Sequence, residues 1–208
     1  MLPRHRLAPP LALHPPSTVG SAESVSGANH DAVMRNEQHP DDLLKFRVKY
    51  RPLEDASMAG EWLWGCWLDR KRGLVVAQNN AVEVPLLVAD TVRVARDPEG
   101  GWRMVEAVRL AEFMATWTTF DKPVTTQEAR EVYDGWVRDG YAVHTEGGSR
   151  VMVTAWQESM SMEQVLAALG PTFVNDGWTL WRVFTPADRL AEIQHRVDLR
   201  SPSVRTRA

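Results

Sequence analysis

Few side chains in this 208-residue chain have the type and spacing to act on a substrate. Cys66 is the single thiol, set between Gly65 and Trp67 in an aromatic run. A nucleophilic cysteine needs a base and an electropositive setting. Without either, Cys66 reads as a small buried hydrophobe. Of the six histidines, His5, His14, His30 and His39 fall in the first forty residues, leaving His144 and His195 in the body. None stands at the H-x-H or H-E-x-x-H spacing that presents two imidazoles to one metal ion. No metal site and no cofactor are therefore expected. His144 lies two residues from Glu146 on an expected strand, as a solvent-facing pair. The carboxylate pairs Asp41-Asp42 and Glu54-Asp55 sit at element edges and read as solvated charges or caps.

Glu61 and Asp90 are the more informative acids, because each flanks an apolar strand. If a barrel brought them together, one carboxyl would titrate high. A strand-end carboxylate that accepts hydrogen bonds from a turn accounts for them equally well. The glycines form no phosphate cradle: Gly100-Gly101 and Gly147-Gly148 read as hairpin turns, and no G-x-x-x-x-G-K-[ST], G-x-G-x-x-G or G-x-S-x-G is present. No residue is assigned a catalytic role.

All nine tryptophans lie in the body of the chain. Trp62, Trp64, Trp67 and Trp102 are placed to line a ligand wall or anchor an interface. Strand alternation puts Trp62 and Trp64 on one face and Trp67 on the other. Both faces are then apolar, so a second layer is expected to cover one of them. Left uncovered, the outer indoles form the kind of exposed patch that marks a binding site. The candidate binding residues are Glu61, Trp64, Asn80 and Asp90.

The elements that must position these groups follow from periodicity. Phe46, Val48 and Tyr50 alternate with Lys45, Arg47 and Lys49, a half-buried strand. Trp62 to Leu68, Leu74 to Val76, Val92 to Val94 and Trp102 to Glu106 follow with turns between them, Asp97-Pro98-Glu99-Gly100-Gly101 being the strongest. Short strands without a helix predict a small antiparallel β barrel or roll over residues 41–110. After Ala111 the pattern changes. Glu112–Phe120 reads as a strand. Thr125-Thr126-Gln127-Glu128 matches a capping box, with Ala129, Val132, Tyr133, Trp136 and Val137 on one helical face and Gly140 as the stop. A hairpin spans Tyr141 to Trp156. A second helix opens at Ser161, carries Met162, Val165, Leu166 and Leu169 inward, and ends at Gly170-Pro171. Trp178–Phe184 is a strand. Thr185-Pro186 opens a last helix running to about His195 on Leu190 and Ile193. The order is that of a ferredoxin-like βαββαβ sandwich over 111–195. The expected class is α+β, barrel first and sandwich second.

Charge narrows the partners. The net charge is −3, yet residues 111–195 hold six basic and twelve acidic groups, a net of −6. That disfavours general nucleic-acid binding, which needs a basic stripe. It suits a protein partner with a basic surface. Residues 196–208 form a basic segment with Arg196, Arg200, Arg205 and Arg207, expected to be a frayed tail. Residues 1–40 read as a disordered leader, rich in proline and small polar residues. Its prolines interrupt any signal-peptide core. Met34, just before the folded pattern, is a candidate true start. No apolar run reaches the roughly 18 residues of a spanning helix, so no membrane segment is expected and a cytoplasmic location follows.

The stretch from about residue 44 to 185 resembles a bacterial group, family 4265 of the domains of unknown function. The features that carry the likeness are Glu61-Trp62-Leu63-Trp64, Asn80, Pro85 and Asp90-Thr91-Val92, with Leu166-x-x-Leu169-Gly170 and the aromatic strand beyond it. Here Ala81 to Val84 separate Asn80 from Pro85, where the family has a tighter Asn-x-Pro turn. The resemblance implies a label and no chemistry. Together these features predict a non-enzymatic protein-binding or regulatory module, immunity-like in character. A small-molecule sensor, or a hydrolase-like enzyme using Glu61, Asp90 or His144 between the lobes, are the competing readings. Oligomeric state is open, a homodimer included.

Overall fold

The computed structural model describes residues 42–53, 57–121, 125–148, 150–173 and 177–199. The leader 1–40, the candidate start Met34 and residues 200–208 of the basic tail lie outside them. The chain is mixed α+β, with a closed five-stranded barrel and a second, four-stranded antiparallel sheet. Both belong to one compact unit, Gln38–Ala208.

The barrel is a meander of β1 (Leu43–Tyr50), β2 (Ala59–Asp69), β3 (Leu74–Ala77), β4 (Thr91–Arg96) and β5 (Trp102–Arg109). Each hairpin reverses direction, so an odd number of strands leaves the first and last running the same way. Closure is accordingly parallel, pairing Phe46 with Trp102 and Arg47 with Arg103. Phe46, Val48, Leu63, Val75, Val92 and Met104 fill the interior. Burying each such large side chain contributes about 1.5–3 kcal/mol, which is why strict alternation sets the register. The barrel register shifts at three places, between Trp67 and Asp69, between Thr91 and Val92, and between Arg93 and Val94. Arg93 pairs with Glu106 but Val94 pairs with Met104, so an extra residue on β5 turns Glu106 out to solvent while Met104 stays inside.

The second sheet holds β6 (Ala115–Phe120), β7 (Ala142–Gly147), β8 (Val151–Trp156) and β9 (Trp178–Phe184), in the order β7-β8-β6-β9. Every neighbouring pair is antiparallel. Helices α1 (Thr126–Arg138) and α2 (Met162–Phe173) bring Tyr133, Trp136, Val165 and Leu169 against Phe120, Trp156 and Trp178. The expected capping box forms: Thr125 Oγ1 accepts from the Glu128 N–H, and the Glu128 carboxylate accepts from the Thr125 N–H. Ser161 and Gln164 cap α2 in the same reciprocal way. The opposite face of the sheet, with Trp117, Val153 and Ala155, packs on Leu87 and Val88 of the barrel's long β3–β4 loop.

Several expectations are corrected. The strand expected from Glu112 begins at Ala115, because Phe113 is already buried in the seam between the lobes. Helix α2 continues through Gly170 and Pro171 to Phe173, since a proline removes one backbone donor without ending the turns already begun. Val137, Leu166 and Leu190, expected on inward faces, are exposed at the margins of their helices. On α3 (Pro186–Arg196) the buried residues are Arg189, Ile193 and Arg196. Arg196 was expected to open a frayed tail. Instead, Arg51 N–H donates to the Arg196 carbonyl, Val197 bridges Tyr50, and Asp198 N–H donates to the Lys49 carbonyl. The C-terminal segment thus extends β1 where β1 and β5 part company. No helix among the described residues is long and apolar enough to cross a membrane.

Candidate functional site

Three of the four candidate binding residues hold one loop. Glu61 shares the inward parity of Leu63, so its carboxylate reaches the barrel end, where it accepts from the N–H groups of Val82 (2.7 Å) and Glu83 (3.1 Å). Asn80 is fully buried; its Oδ1 accepts from Val88 N–H at 3.0 Å, while its Nδ2 donates to the carbonyls of His144 and Val153, both at 3.3 Å. Asp90 accepts from Leu87 N–H (2.7 Å) and Ala111 N–H (2.8 Å) and from the Arg189 guanidinium. Glu61 therefore holds the middle of the 78–90 loop, at Val82 and Glu83, and Asp90 holds its end, at Leu87 and Ala111.

Two arginines that periodicity did not single out, and Trp117 of the expected β6 strand, complete the hold on this loop. Arg189 donates to the carbonyls of Pro85, Ala111 and Phe113. Arg196 donates to those of Arg51 and Glu83, both at 2.9 Å. Trp117 Nε1 donates to the Val82 carbonyl at 2.6 Å. Polar backbone in a buried loop must find partners, and these side chains supply them. The one available signal was arginine at apolar-face positions of the last helix, in register with Ile193.

Electrostatics follow from burial. Burial pushes the Glu61 carboxyl up; the two amides it accepts from pull it down, and Glu83 and Glu146 add to the rise. His144 Nε2 lies 3.1 Å from Glu146, the pair half-exposed on β7. Burial also raises the Cys66 thiol, with Asp42 adding to it, the reverse of what a nucleophilic cysteine needs.

Trp64, the fourth candidate, is on the surface. Trp62 is 47% exposed, Trp64 49% and Leu68 62%, all on the outer face of β2. The second lobe does not cover these indoles, because it docks on the 78–90 loop at the barrel end and not on the barrel's flank. Across the β1–β2 ladder, Lys45 pairs with Trp64 and Arg47 with Trp62. Lys45 Nζ sits 5.3 Å from the Trp64 ring centre, and Arg47 reaches Glu99 at 3.3 Å. Trp67, on the inner face, meets Trp102 edge-on with ring centres 5.0 Å apart.

No protein-family model matches the chain, and no curated protein matches it. One solved structure, described as a hypothetical protein from Neisseria gonorrhoeae, is similar at 13% identity and a TM-score of 0.47, over 66% of this chain and 92% of that one. A likeness that slight carries neither fold nor function.

Proposed function

We propose that this protein is a non-enzymatic binding module, regulatory or immunity-like in character, which docks a protein partner on the outer face of β1 and β2. The observation that carries the reading is the exposure of Trp62, Trp64 and Leu68 on one strand, faced across the ladder by Lys45 and Arg47. Large exposed aromatics beside cations are the residue types that dominate binding interfaces. Arg47 is already paired with Glu99, so Lys45 beside Trp64 sets the partner's chemistry at the contact: an apolar anchor with a carboxylate next to it. The acidic 111–195 region favours basic partners only through the longer-range field, which salt screens within about 10 Å. At the docking face the adjacent lysine decides.

The engagement of Glu61 and Asp90 with backbone N–H groups supports this reading over acid–base catalysis, because neither carboxylate is left to meet a substrate. The same proposal includes a ferredoxin-like second lobe, supported by the β7-β8-β6-β9 order with antiparallel pairs throughout. It also includes a cytoplasmic site of action and membership of family 4265, the latter resting on Glu61-Trp62-Leu63-Trp64, Asn80, Pro85 and Asp90-Thr91-Val92.

The test is site-specific photo-crosslinking in cells from a reactive residue at Leu68. The expected product is a discrete adduct with a second protein, lost in Trp64→Ala and in Lys45→Glu. An adduct that survives both substitutions, an adduct only with another copy of the chain or with nucleic acid, or no adduct at all overturns the reading.

A further inference from the structure

The two ends of the barrel differ. One is plugged by the 78–90 loop and by Ile193 and Val197. At the other end, the start of β1, the end of β2, the end of β4 and the start of β5 converge, as the pairings Leu43 with Cys66 and Arg96 with Trp102 require. A cavity of about 320 Å³ opens there, lined by Leu43, Leu44, Trp67, Arg70, Arg96 and Trp102. We propose that this open end binds a small planar aromatic anion, a one- or two-ring compound bearing a carboxylate or phosphate. This goes beyond the docking reading: it concerns a different part of the barrel and a different class of ligand.

Three features point to that class. The indoles of Trp67 and Trp102 touch edge to face, with ring centres 5.0 Å apart and planes at 80°, so together they form an aromatic corner of the cavity wall against which a flat ligand can stack. Leu44 continues the apolar surface. Two guanidinium groups lie at the rim. Arg96 is held over the Trp102 ring at 4.2 Å, which fixes its plane while leaving its N–H edge able to take an anion. Arg70 pairs with Asp42 at 3.3 Å, both side chains about half exposed. Exposed pairs of this kind are worth about 0–1 kcal/mol, so a ligand anion can share or replace that contact. The volume is at the small end of the range for ligand sites, which limits the guest to one or two rings.

The experiment follows the indole N–H signals of the full chain by NMR, with those of Trp67 and Trp102 assigned from Trp67→Phe and Trp102→Phe. Indole-3-acetate and AMP are the aromatic anions; indole, adenosine and inorganic phosphate are the controls. The expected result is saturable one-to-one shifts of the Trp67 and Trp102 signals by at least one aromatic anion. Its affinity should be about tenfold or more above those of its neutral ring and of phosphate. Arg96→Gln should lower that affinity by a similar factor with the melting temperature unchanged. Arg70→Gln serves in its place if Arg96→Gln does not fold. The proposal is overturned by no saturable shift up to about 5 mM, by equal binding of charged and neutral rings, by no change in the arginine variant, or by shifts confined to indoles other than Trp67 and Trp102. Any of these outcomes leaves the crosslinking result untouched.

Discussion

Asp90 and Arg189 form an ion pair in which both side chains are wholly buried, although 99 residues separate them in the chain. Burial pushes the Asp90 carboxyl up, while the guanidinium and the N–H groups of Leu87 and Ala111 hold it down. The remaining Arg189 donors reach three backbone carbonyls. The pair thus joins the barrel's loop, the connector before β6 and the last helix at one point.

Removing one member strands a charge in the interior. Arg189→Met is expected to cost about 3–5 kcal/mol, measured by denaturant unfolding. The double variant Asp90→Asn/Arg189→Met should cost clearly less than the sum of the two single changes, because no charge is then left unpaired. Additive costs would show that the pair is not coupled.

Asn80 separates shape from hydrogen-bond chemistry. Its Nδ2 faces two carbonyl oxygens and its Oδ1 faces one N–H. Asn80→Asp keeps the shape but sets a carboxylate oxygen against both carbonyls. It should destabilise more than Asn80→Ala, which is expected to cost about 2–3 kcal/mol by loss of the buried bonds. Thermal unfolding of the two variants checks the order, and an aspartate variant as stable as wild type refutes the assignment of Nδ2.

The outer indoles should behave in the opposite way. Trp62→Ala and Trp64→Ala remove half-exposed rings, so each should change stability by less than about 1 kcal/mol while reducing partner capture. A loss above about 2 kcal/mol in either variant would place that ring in the structure and not in recognition.

Asp97 should contribute to acid sensitivity, alongside the helix-capping Glu128 and Asp188, whose carboxyls are also held low. Burial works to raise the Asp97 carboxyl, but the Glu99 N–H, Lys49 and Arg103 outweigh it and hold the group below the usual carboxylate range. A folded-state pKa below the unfolded one means this contribution is fully present above the unfolded pKa, near 4. It is lost as pH falls through the folded value. Melting temperatures recorded from pH 6 to pH 2.5 should fall less steeply for Asp97→Asn than for wild type. That variant should also be the less stable of the two at pH 7. Parallel curves would remove Asp97 from the acid response.

Local signals settled the elements of this protein, and long-range contacts settled what those elements do. The period of two in Phe46, Val48 and Tyr50, and the capping box at Thr125 and Glu128, each specify an element from a few adjacent residues, because backbone geometry and end-group satisfaction are local demands. Trp64 was recognisable as a candidate from its type and its strand parity. Whether its face was covered was not, since that depends on where the second lobe docks. Glu61 and Asp90 stood out as acids flanking apolar strands and Asn80 through the family resemblance, but their hydrogen bonds to buried backbone around the 78–90 loop exist only in the folded chain. Arg189 and Arg196 carried little local signal, because a charge on an apolar face acquires meaning only from partners about a hundred residues away. The contact of Trp67 with Trp102 likewise exists only once the meander closes, when an odd strand count brings the first strand alongside the last.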